Sequence, residues 1–113
     1  MFLTNFLKQN KDCNTFLKSL KRIISKGSNK KGILFIGVNP KDGKIIIYKG
    51  MILSNTDFLG SIVSKDYYQV IIDIMNSLNI KPAEESSIPE FFIGKENYIL
   101  YVLNDYNQER LQL

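Results

Sequence analysis

The amino-acid sequence predicts a small α+β domain, a single two-layer unit in which two main helices pack on an antiparallel sheet of four to five strands. Three observations carry this expectation. A chain of 113 residues, 44% hydrophobic and 12% aromatic, fits one domain with a core of its own. Two segments carry apolar residues at helical spacing, and two others read as short apolar strands joined by turns. Separate hairpins cannot bury themselves, so one sheet with helices laid against it is the economical arrangement.

The elements follow in order through a single domain spanning 1–113. Residues 2–26 form a helical region. Phe2, Leu3, Phe6 and Leu7 make a first apolar patch, and the polar run Gln9–Asp12 divides it from a better-formed second half. There Asn14 is the expected N-cap, Phe16, Leu17, Leu20, Ile23 and Ile24 form one stripe, and Gly27 is a natural stop. Residues 32–54 form a hairpin. Ile33–Val38 is apolar on both alternations and reads as a strand buried on both faces. Pro40-Lys41-Asp42-Gly43 has turn chemistry, and Lys44–Tyr48 is the return strand, with Met51-Ile52-Leu53 extending it or opening a third.

Residues 56–79 are expected to be helical. Asn55 and Thr56 are cap-type residues, Ser64 is a second cap candidate, and Tyr67, Ile71, Ile74, Met75 and Leu78 share one face. Lys81–Pro89 is an acidic, proline-bounded loop. Residues 91–104 read as a second hairpin, with Phe91-Phe92-Ile93 turning through Gly94–Asn97 into Tyr98–Leu103. Residues 105–113 are a polar tail able to close as a short helix. This order, α-ββ-α-ββ, resembles the layout of roadblock-type dynein light chains, and the resemblance implies a dimerising scaffold.

Several chemistries are excluded on composition. The chain has no histidine, which removes His-activated nucleophiles, imidazole acid–base catalysis and imidazole metal sites. Cys13 is the single cysteine, so neither an internal disulfide nor a cysteine zinc site forms, and a small buried hydrophobe in a reducing compartment is expected. Glu84, Glu85 and Glu90 do not match a calcium loop. Gly37–Lys44 superficially suggests a phosphate loop. However, five residues separate its glycines, Ile45 stands where a metal-binding hydroxyl belongs, and a strand follows instead of a helix. Leu34–Pro40 resembles the strand-to-loop motif of uracil-DNA glycosylases, a family whose second motif supplies a histidine absent here. No catalytic residue, cofactor or metal ligand is therefore expected. No apolar run reaches membrane-spanning length and no secretory signal is visible, so the expected location is cytoplasmic.

What rises above background is charge. Residues 1–50 hold eleven Lys/Arg against two acids, a net of +9, and residues 51–113 hold four against nine, a net of −5. Lys18, Lys21 and Arg22 share the solvent side of the first helix, Lys30 and Lys31 follow in the next loop, and Lys41 and Lys44 flank the hairpin tip. Such a set suits an anionic partner. Single-strand binders set stacking aromatics beside positive charge, and no aromatic interleaves with these lysines in the sequence; Tyr48 is the nearest. The expected function is thus a non-enzymatic interaction module docking on a protein with an acidic surface, or on itself as a homodimer. A nucleic-acid-binding module using the basic half is the alternative. Heavy use of Ile, Asn and Lys, with Ala83 the sole alanine, resembles products of AT-rich genomes, and by that association suggests a phage or mobile-element inhibitor of host machinery.

Overall fold

A computed structural model describes residues 13–51 and 56–111. Helix α1 (Asn14–Ser25) leads into strands β1 (Ile33–Asn39), β2 (Lys44–Gly50) and β3 (Thr56–Val63). Helix α2 (Tyr68–Ser77), two single 3-10 turns (Glu85–Ser87 and Glu90–Phe92), strand β4 (Ile99–Leu103) and helix α3 (Asp105–Leu111) complete it. The four strands form one antiparallel sheet in the order β3-β2-β1-β4. The chain is thus the predicted α+β domain, in the element order α-βββ-α-β-α.

The hairpin forms where its turn chemistry places it. Gly43 sits at φ 74° and donates its N–H to Asn39 O at 2.8 Å, closing the turn that Pro40 begins. The side chains of Asn39 and Asp42 accept from the N–H groups of Lys41 and Lys44, each at 2.9 Å. β1 is buried from Leu34 to Asn39, as its unbroken apolar run predicts for a central strand.

The alternation of β1 divides the core in two. Leu34, Ile36 and Val38 face the helices, joining Ile45 and Ile47 of β2, Leu59 of β3, and Tyr101 and Leu103 of β4. Against them lie Phe16, Leu17, Leu20, Ile23 and Ile24 of α1, then Ile71, Ile74 and Met75 of α2, and Leu111 of α3. Phe35 faces the other way, into a smaller cluster with Ile46, Leu100 and Phe92. Each fully buried side chain of this kind contributes about 1.5–3 kcal/mol of transfer free energy.

Four expectations are corrected. Residues 56–63 are a strand, not the start of a helix. Thr56, Ile62 and Val63 are β-branched and Gly60-Ser61 is poor in helix propensity, so the segment gains more by pairing with β2. The helix begins at Tyr68, after Ser64 accepts from the Tyr67 N–H through Oγ at 3.2 Å and from the Tyr68 N–H through its carbonyl at 3.1 Å. Residues 91–104 are not a hairpin, because Glu90–Phe92 coils as a 3-10 turn after Pro89 and β4 pairs with β1, Ile36 opposite Tyr101. Burying Phe91 and Phe92 over Phe35 outcompetes a ladder that three residues could form. The element order therefore departs from the roadblock-type layout. Fourth, Asn14 is the first residue of the helix and not its cap, the cap position being held by Cys13.

Two loose ends resolve. The loop 81–89 is held to the sheet, with Ala83 N–H donating to Leu100 O at 2.7 Å. The tail closes as α3, capped by Asn104, which accepts from the Asn107 N–H through Oδ1 at 2.9 Å. The expected helical residues 2–12, with the Ile52–Asn55 stretch, lie outside the described residues.

Candidate functional site

The outer face of the sheet, opposite the helices, is unevenly covered. Over β1 and β4 lies the segment 83–98, which lays Ile88, Phe91, Phe92 and Tyr98 on Phe35, Ile46 and Leu100. Over β2 and β3 this cover stops. Strand alternation brings Lys44, Ile46 and Tyr48 to this face, and the register sets Phe58 opposite Tyr48. These four residues, with Lys95 and Tyr98 from the covering segment, line a groove of about 250 Å³.

The aromatic rings are linked. Tyr48 stands edge-on to Phe58 with centroids 5.2 Å apart and tilts against Phe91 at 5.1 Å. Phe91 is edge-on to both Phe35 and Phe92, and Phe92 to Tyr98. Such contacts lock the rings in place beyond what area burial alone gives. At the solvent end of this series of rings Phe58 is 54% exposed, although it is paired within β3. Burial, and after it the neighbouring phenol of Tyr98, raises the Tyr48 pKa above its ordinary value. Tyr48 therefore stays a neutral hydroxyl at physiological pH.

A second groove adjoins the first through Lys95, lined by Glu85, Ile88, Phe92, Ile93, Gly94 and Glu96. Its carboxylates make this end of the face acidic, whereas Lys44 makes the hairpin end basic. Lys65 strengthens that end, because Ser64 donates its N–H to Gly43 O at 2.9 Å and ties the chain after β3 to the β1–β2 turn.

The structure divides the predicted basic set between two sides of the sheet. Lys18, Lys21 and Arg22 are exposed on α1, whose stripe packs on the inner face. Lys44 lines the outer groove, and Lys41 is exposed at the turn beside it. Lys31 is exposed in the loop after α1, and Lys30 is ion-paired with Asp57 of β3. The set is therefore not one stripe. Lys95, Tyr98 and Phe58 were not singled out from the sequence. Period-two alternation already set Lys44, Ile46 and Tyr48 on one side. Phe58 required 56–63 to be read as a strand, and Lys95 and Tyr98 required the covering segment to be placed.

Among the described residues, no group of three His, Cys, Asp or Glu side chains is gathered that could hold a metal ion, and no helix is long and apolar enough to cross a membrane. Compared with family models, curated proteins and solved structures, the chain matches none.

Proposed function

We propose that this protein is a non-catalytic interaction module that docks on a protein with an acidic surface, using the outer sheet face around Tyr48 and Phe58. The observation that carries this is an exposed, ring-locked aromatic at the margin of a basic groove. A rigid aromatic loses little side-chain entropy on contact and buries a large area, which suits a binding hot spot. Lys41, Lys44 and Lys65 set the charge preference and speed encounter with an acidic surface. The size and composition suit a phage or mobile-element protein acting on host machinery in the cytoplasm, and the buried Cys13 fits a reducing compartment.

A specific observation favours a second reading, a single-stranded nucleic acid on the same groove. The fold interleaves Tyr48, Phe58 and Tyr98 with Lys44 and Lys95, an aromatic–cation arrangement that the linear sequence hides. It ranks second for two reasons. Glu96 and Glu85 border the groove, and Lys18, Lys21 and Arg22 lie on the far side of the sheet, so a phosphate backbone would track few cations.

The test is affinity capture from cells of the native source with the full chain, with and without nuclease, alongside the double variant Phe58→Ser/Lys44→Glu. Docking expects a protein retained after nuclease and lost with the variant. Capture that disappears with nuclease favours the second reading, and capture indifferent to the variant removes this face from the function.

A further inference from the structure

The two margins of the sheet differ. At β4 the segment 81–89 lies along the outer edge, where Leu100 O accepts from the Ala83 N–H at 2.7 Å. At β3, among the described residues, no backbone hydrogen bond is made on the side away from β2. The ladder fixes which groups face out. Because Ser64 donates to Gly43 O, residues 43 and 64 form a hydrogen-bonded pair, and alternation then turns the N–H and C=O of Ser61 and Val63 away from β2.

Natural sheets blunt such an edge with lysine, proline, a bulge, short length or a cover. Of these, among the described residues, β3 has only a bulge at Leu59, which leaves Gly60–Val63 as a regular stretch. β3 runs for eight residues and contains neither lysine nor proline. It carries one register shift, opposite Ile47/Tyr48, and two exposed apolar side chains, Phe58 and Val63, the latter 64% exposed. The charges around it are asymmetric. The one acid within β3, Asp57, is ion-paired with Lys30. Lys44 lies opposite Val63, Lys65 follows the strand, and Lys41 lies at the adjoining turn, with Asp42 and Asp66 the acids nearby.

We propose that the outer edge of β3 is a strand-addition site for an extended, acidic segment of a partner protein. This rests on the docking function above and specifies its mode. Main-chain bonds to Ser61 and Val63 supply affinity, Phe58 and Val63 receive alternate apolar side chains, and the flanking lysines select acidic ones.

The probe is a blocked, dye-labelled octapeptide alternating Glu and Val, titrated with the full chain by fluorescence anisotropy. It is compared with a Lys/Val counterpart and with a Glu/Val peptide N-methylated at alternate amides. The Glu/Val peptide should bind, and each comparison peptide should bind about tenfold or more weakly. Ser61→Pro removes an outward N–H without breaking a bond to β2, so it should weaken binding by a similar factor with an unchanged melting temperature. The N-methylated peptide tests the same point on the unaltered protein if that variant does not fold. Equal binding of the N-methylated peptide overturns strand addition while leaving docking on the face intact. A concentration-dependent dimer that Ser61→Pro abolishes and the peptide cannot displace makes a second copy the occupant and overturns the proposal. Tight binding of oligo-dT with none of the peptide overturns both this mode and the protein-docking function it rests on.

Discussion

Phe92 shows how one side chain holds the outer layer. It is buried over Gly37, where a Cβ would stand 2.7 Å from its ring, so the closest approach of the covering segment depends on a glycine in the central strand. Phe92→Ala should cost about 3–5 kcal/mol, as large-to-small aromatic substitutions in cores do. Urea denaturation checks this. A loss below about 1 kcal/mol would mean the cover collapses onto the gap instead of leaving it open. A second expectation concerns phenols. Burial raises the pKa of Tyr101, and burial followed by Tyr98 raises that of Tyr48, each above the ordinary 10.0. Groups whose folded pKa is raised contribute stability that is complete below the unfolded pKa and is lost as pH rises through the folded one. Stability should therefore fall on the alkaline side of about pH 10, and Tyr48→Phe should flatten that fall. Denaturation midpoints measured through this range decide it; an identical alkaline loss in the variant would remove Tyr48 as a source.

Among the elements, α1 and β3 behave oppositely with respect to the sequence. The stripe of α1 was legible because all five apolar positions are buried and its polar positions face solvent. Lys18, Lys21 and Arg22 lie on that solvent side, so reversing all three to Glu should leave the melting temperature nearly unchanged, because exposed charges contribute little to folding. Lying across the sheet from the groove, they should alter the association rate with an acidic partner and its salt dependence more than the dissociation rate. Stopped-flow measurement separates the two, and a dissociation rate dominating the change would move the docking surface onto α1. β3 was not legible. Thr56 and Ser64 are cap residues in isolation, and the signal that Phe58 and Leu59 point to opposite faces is obscured by the extra residue at the register shift. The supposed strand at Phe91–Ile93 failed for a related reason. Three consecutive apolar residues satisfy a strand and a packed turn equally well, and only Phe35 and Leu100 beneath them decide the matter.

For the molecule as a whole, the fold class followed from apolar periodicity and turn chemistry, which act locally. The candidate surface did not, because it is assembled from residues far apart in sequence: Lys44 and Tyr48, Phe58, Lys95 and Tyr98. The charge split between halves was real in sequence but does not become one positive face, since the first half supplies both α1 on one side of the sheet and β2 on the other.

The placement of β4 beside β1 has a further consequence, for the order of events in folding. β1, β2 and β3 are consecutive, so their pairings close short loops and can form early. The pairing of Leu34 with Leu103 must wait for a closure that encloses β2, β3 and α2. Substitutions in β4, such as Val102→Ala, should therefore act mainly on the unfolding rate, and those in the β1–β2 hairpin on the folding rate, a contrast that chevron kinetics measures directly. During synthesis the central strand emerges long before its last partner. Until residue 103 clears the ribosome, one whole margin of β1 lacks its full complement of partners, and that interval is when the nascent chain is most open to mispairing.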